Sequence, residues 1–162
     1  MANEECLRIL RQGSAAWNRW RGPGSYIAVD LSGANLEKTD LRALDFQGAD
    51  LRRAVLTGAH LEGVRLREAL LDEAELSGAF LSGAELTGAS FAGACLRGAD
   101  LSKSDLSKAD LSGADLRKAD LRGASLRGVM IKGANLDGIL LTIQQRALLP
   151  MLASRRAKEP KS

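Results

Sequence analysis

From Leu31 to Leu141 every fifth residue is large and apolar: twenty Leu, with Phe46, Phe91 and Ile131 completing the 23 positions. The run contains no insertion or deletion. Two residues before each, from Val29 to Ile139, sixteen of the 23 are Ala, and the other seven carry little or no polar surface. Two residues after, fourteen of 23 are Gly. A period of five suits neither common element. On an α-helix each step of five advances about 140° beyond a full turn, so the Leu would wind around every side. On a strand, odd spacing would throw successive Leu to opposite faces. The Leu can share one interior only if the chain turns a corner within each pentad. Gly at one fixed place supplies the permissive φ such a corner needs. The pattern therefore predicts an all-β solenoid, in which each pentad is a short edge followed by a turn.

The residue between Ala and Leu must then point outward. Nine Asp and two Asn stand there among the 23. The sites after Leu are mostly Ser, Thr, Arg, Lys, Glu and Gly, which also suits solvent.

Segments such as Gly98-Ala99-Asp100-Leu101-Ser102 and Gly113-Ala114-Asp115-Leu116-Arg117 resemble the A(D/N)LXX signature of the pentapeptide repeat family. The resemblance implies a right-handed quadrilateral β-helix with four pentads per coil, here just under six coils. At one strand spacing per coil the rod would be roughly 28 Å long. The boundaries it suggests are a capping helix and linker over 1–24, the β-helix over 25–143, and a helix with a basic tail over 144–162.

A solenoid leaves open edges and apolar core at both ends, so both require caps. Asn3 to Arg21 is expected to form one amphipathic helix, N-capped by Asn3 and stopped by Gly22-Pro23-Gly24. Leu7, Leu10, Trp17 and Trp20 are its expected buried stripe. Trp17 and Trp20 either cover the first coil or dock a partner. At the other end, Thr142 and Gln145 match a capping box, and Pro150 is expected to end or kink the helix that follows. Leu148, Leu149, Met151 and Leu152 are more apolar surface than one cap requires. In some family members the C-terminal segment forms a homodimer interface, so these four are the candidate dimer or cap contacts.

Composition and charge narrow the function. Only Cys6 and Cys95 are present, with no metal or redox spacing, and two free thiols suit a reducing cytoplasm. No apolar run reaches the roughly 20 residues that cross a bilayer, and no membrane partner is expected. His60, the single His, is outward, so no Ser-His-Asp arrangement can be buried in the rod. No catalytic, metal or cofactor site is expected. Asp100 and its regular neighbours read as solvated surface, because only residues 20 apart would stack.

The surface is more informative where it departs from its own rule. Between Val55 and Cys95 the outward positions lose Asp and Asn altogether, and His60, Leu70 and Phe80 become candidate partner contacts. His60, Phe80 and Asp100 should stack on one face, with Leu70 on an adjacent one. The expected role is a non-enzymatic rod that presents its surface to a protein. The alternative that the resemblance implies is DNA mimicry toward gyrase, as in the family's quinolone-resistance branch. Charge opposes it. Residues 29–143 hold 14 Lys and Arg against 17 Asp and Glu, a net of −3. A duplex carries about one negative charge per 1.7 Å, or around 16 over the rod's length. Nucleic acid is not an expected partner either, since almost no aromatics are available to stack bases.

Overall fold

The computed structural model of the protein describes residues 2–22 and 27–154, with side chains through Leu148. From Asp30 onward the chain forms a continuous parallel ladder in which each outward residue bridges the one 20 positions later, from Asp30↔Asp50 to Asp120↔Leu140. Twenty residues are four pentads, so each coil has four sides and four corners.

One pentad shows how the backbone is satisfied. The Leu31 amide donates to Asp50 O at 2.8 Å, and the Asp50 amide returns a bond to Val29 O at 2.8 Å. Within the corner, the Ala34 amide bonds Leu31 O at 3.0 Å, closing a β-turn. The third residue of that turn, Gly33, has φ +67, the signature of a type II turn. The same positive φ recurs at all 22 corners from Gly33 to Gly138. Fourteen of these are Gly. The others are Lys38, Ala43, Arg53, Glu68, Glu73, Lys103, Lys108 and Lys118, with φ between 53 and 61. The corner is therefore imposed by the turn bond and the ladder bonds on either side; Gly lowers its cost and does not create it.

The interior matches the pattern. Inward Leu, Phe and Ala from Leu41 to Ala119 are essentially inaccessible, and Ser104, the polar exception, donates its hydroxyl to Leu101 O at 2.7 Å. In the last coil the burial lapses: Leu126, Ile131, Leu136 and Ile139 are only partly covered.

The N-terminal segment differs from the single helix expected. It forms α1 (Glu4–Leu10) and α2 (Ser14–Arg21), separated at Gly13, whose φ of 91 no helix contains. Of the expected stripe, Leu10 and Trp17 are buried, while Leu7 and Trp20 are only partly covered and Cys6 and Ile9 fill the inner face of α1 instead. Asn3 is the N-cap of α1, its Oδ1 accepting from the Glu5 and Cys6 amides.

Side chains of α2 stand in for a missing rung. Trp17 Nε1 donates to Asp45 O at 2.9 Å, and Asn18 Oδ1 accepts from the Asp45 amide at 3.1 Å. Asn18 Nδ2 reaches Ala43 O, while the buried Arg21 guanidinium donates to Ile27 O and Gln47 O. The Trp17 ring, 0% exposed, packs 5.0 Å from Phe46.

At the other end, α3 (Ile143–Ser154) begins with the expected reciprocal box: the Thr142 amide donates to Gln145 Oε1, and the Gln145 amide to Thr142 Oγ1. The buried Gln145 does more than this. Its Nε2 donates to Leu121 O and Ala124 O, and its Oε1 also accepts from the Gly123 amide. One side chain thus satisfies four backbone groups at the open edge. Pro150 does not end α3, which runs on to Ser154; it removes the amide that would have bonded the Arg146 carbonyl. The side chains of Leu149, Met151 and Leu152 and the basic tail lie outside the described residues. No described helix is long and apolar enough to cross a membrane.

Candidate interaction surface

The outward Asp and Asn have a structural task. Each places Oδ1 on the amide two residues ahead, as Asp40 does for Arg42, Asp100 for Ser102 and Asp110 for Ser112. This ties the exposed edge to the first amide of the next corner. Where the residue two ahead is Arg, its guanidinium closes a two-pronged pair on the same carboxylate: Asp40–Arg42, Asp50–Arg52, Asp115–Arg117 and Asp120–Arg122, each with a 2.6 Å contact. Hydrogen bonding to Arg42 holds the Asp40 carboxyl well below the usual range. That to Arg117 brings Asp115 down to about 2. Asp50 and Asp120 are lowered in the same way by Arg52 and Arg122. Four of the nine outward Asp are thus neutralised by the Arg two residues on, and Asp45 meets Arg65 one coil away at 3.5 Å.

Three basic residues near the C-terminal end, Arg97, Arg117 and Arg122, are committed likewise. Arg97 and Arg117 approach the same Asp115 carboxylate, at 4.0 and 2.6 Å. A shallow groove of about 550 Å³ lined by Ser32, Gly33, Arg52, Arg53, Asp72 and Glu73 is internally paired through Arg53–Glu73 at 2.8 Å. Among the described residues no group of His, Cys, Asp and Glu could hold a metal ion. Both cysteines are free, Cys6 buried and Cys95 half-buried.

Of the candidate contacts, His60 and Phe80 come together. They bridge in the ladder, and their rings stack at 4.9 Å between centroids with an 11° tilt. Phe80 is 41% exposed, and Asp40 and Asp100 continue the column on either side. Leu70 does not join them. Its column is Asp50, Leu70, Ser90, and it lies two corners from both His60 and Phe80, on the opposite face of a four-sided coil and not the adjacent one. It is 39% exposed by itself. Trp17 is removed as a partner contact, because it is wholly inside the N-terminal packing. Trp20 lies partly buried, 5.2 Å from Trp17. Leu148 is 45% exposed.

Glu62 was not singled out by the sequence reading, yet it sits beside the aromatic pair. Its Oε1 is 3.3 Å from His60 Nδ1, and its Oε2 is shielded from solvent without a hydrogen-bond partner. No sequence signal marks it, since Glu37 stands at the same spacing after Asn35 in a regular pentad.

Comparison with known proteins fits this geometry. The family model described as pentapeptide repeats matches residues 30–67, 65–103 and 104–142. No curated protein matches the chain. Among solved structures, a pentapeptide repeat protein of the Arabidopsis thaliana thylakoid lumen is 29% identical with a TM-score of 0.51, covering 76% of this chain and 75% of its own. A pentapeptide repeat protein from Nostoc PCC 7120 is 32% identical over 72% of this chain and 84% of its own, with a TM-score of 0.41. QnrB1, a plasmid-mediated fluoroquinolone resistance protein, is 21% identical over 83% of this chain and 88% of its own, with a TM-score of 0.37, a likeness that carries no argument about function. With three matched segments spanning the whole ladder, the chain belongs to the pentapeptide repeat family, whose members form right-handed quadrilateral β-helices and are generally non-enzymatic.

Proposed function

We propose that the protein is a non-enzymatic interaction rod of just under six coils, closed by α1 and α2 at one end and by α3 at the other, which binds a protein partner through the face bearing His60 and Phe80. The carrying observation is the stacked, exposed His60–Phe80 pair in a column whose other outward residues from Asp40 to Asp120 are carboxylates. An Asp at position 80 would do there what Asp100 does, so fold stability gives no reason for Phe. The two free cysteines favour a reducing compartment, the cytoplasm.

The C-terminal end supports a homodimer. Ile143 is 85% exposed, Met130 50% and Leu140 45%, next to the partly covered Leu126, Ile131, Leu136 and Ile139. Apolar surface of this kind beside an open ladder edge favours burial against a second copy. DNA mimicry gains no support, because residues 29–143 carry a net charge of only −3 and five of the nine outward Asp are paired with Arg.

The test is capture of partners from the native host by the wild-type rod and by Phe80→Asp, with circular dichroism confirming that the variant folds. Loss of specific partners from the variant is expected. An unchanged set would remove this face from the account.

A further inference from the structure

On the face that carries the aromatic pair, the carboxylates are in two different situations. Asp40 and Asp120 each hold the guanidinium of the arginine two residues on, through Nε at 2.9 Å and through a terminal nitrogen at 2.6 Å. Asp100, between Phe80 and Asp120 in the column, has Ser102 at that place and takes only its amide, at 2.9 Å. The nearby cations do not fill the vacancy. Arg122 is committed to Asp120, and Lys103 makes no ion pair within 4.0 Å among the described residues. The Lys103 stem leans over Gly123, one coil away from Phe80: its Cγ lies 3.6 Å from the position of a Gly123 Cβ. On the other side of the rings, Glu62 has only His60 as a partner, and one of its oxygens has none.

The ladder places Asp100 directly beside Phe80, on the side away from His60 and Glu62. One face of Phe80 is covered by His60; the coil on its other side, about 4.8 Å away, carries Asp100. A group that fits there must be cationic to meet Asp100, and flat and weakly hydrated to lie against a phenyl ring. A guanidinium has all three properties, and it can grip a carboxylate with two parallel N–H bonds while stacking on an aromatic surface. An ammonium meets only the charge requirement. A phosphate or a nucleic-acid backbone would be repelled by Asp100.

We infer that Phe80 and Asp100 form a receptor for an arginine side chain presented by the protein partner, the guanidinium gripping Asp100 as Arg122 grips Asp120 and covering the exposed part of the Phe80 ring. This rests on the reading of the face as a partner surface and names the chemistry it selects.

The probe is blocked arginine, Nα-acetyl-arginine methylamide, titrated into the full-length isotope-labelled protein and followed by NMR. Citrulline and lysine analogues serve as controls. Saturable shifts of the Phe80 ring and the Ser102 amide are expected with arginine, with half-saturation on the order of millimolar for a single exposed side chain. Losing the charge should weaken them at least about tenfold, either in the citrulline analogue or in Asp100→Asn. The Asn variant keeps the corner bond, as Asn35 and Asn135 do at their own amides. Asp110→Asn, on a column without an aromatic, should change nothing. Absence of shifts at Phe80 and Ser102, or equal binding by citrulline, would overturn the arginine assignment. The broader partner-surface reading stands or falls separately, on whether Phe80→Asp loses partners in the capture experiment.

Discussion

The corners offer a paired test in which two substitutions one coil apart should move stability in opposite directions. Gly83 turns its corner at φ 68, and a Cβ added there meets nothing within 4 Å. The cost of Gly83→Ala is therefore purely one of backbone conformation. A left-handed conformation costs an L-residue about 1–2 kcal/mol, and restricting the unfolded chain offsets about 0.4–1 kcal/mol. The net expectation is a loss of about 1 kcal/mol. Lys103 occupies the same corner one coil on, at φ 58. Lys103→Gly relieves that conformation and gives up only the contact of the Lys stem over Gly123, so it should stabilise by roughly 0.5 kcal/mol. Urea unfolding of the two variants beside wild type reads this as midpoints shifted in opposite senses at an unchanged slope. If Gly83→Ala were neutral or stabilising, or if both variants moved the same way, the corners would not be governed by φ and the reasoning would fail.

Other consequences are equally concrete. Gln145→Leu leaves the Thr142 and Gly123 amides and the Leu121 and Ala124 carbonyls without that partner, so it should cost at least about 2 kcal/mol in thermal or chemical unfolding. The Arg-paired Asp40, Asp50, Asp115 and Asp120 have folded pKa values below their unfolded ones. Their contribution is complete above the unfolded carboxylate range and disappears as pH falls through the depressed folded values, so stability should be flat near neutrality and decline below about pH 4. Replacing Arg117 by Met should shrink that acid-side decline. Purified gyrase should supercoil DNA equally with and without the protein, since a net charge of −3 over residues 29–143 falls far short of a duplex.

The fold was legible because one physical conflict had one resolution: Leu five apart cannot share an interior without a corner in each interval. The eight corners without Gly show where that reading was incomplete. Sequence suggested the residue that eases the turn, whereas the turn itself comes from the Leu31–Ala34 type of hydrogen bond and the ladder around it. The outward Asp were read as solvated polar surface. Their acceptance of the amide two residues ahead follows only from the corner geometry, as does the pairing of Asp40, Asp50, Asp115 and Asp120 with the Arg found there. The place of Leu70 opposite His60 and Phe80 follows from spacing alone, since ten residues are two corners. At the N-terminus Leu10 and Trp17 are buried on either side of Gly13, but its φ of 91 divides the segment into two helices where the apolar pattern suggests one. Asn18 and Arg21 carry no local pattern that marks them as binding groups for the ladder end, and the capping box at Gln145 shows only its bond to Thr142, because the ladder partners of all three lie 21 to 27 residues away.

The native thiol of Cys95 allows the coil register to be tested directly. Glu75 bridges Cys95 across neighbouring coils, at a separation that a disulfide can span. Under mild oxidation, Glu75→Cys should form an intramolecular disulfide with Cys95 in the folded protein, while Leu70→Cys and Phe80→Cys, one corner to either side, should not. Efficient cross-linking from 70 or 80 with none from 75 would contradict a coil of 20 residues.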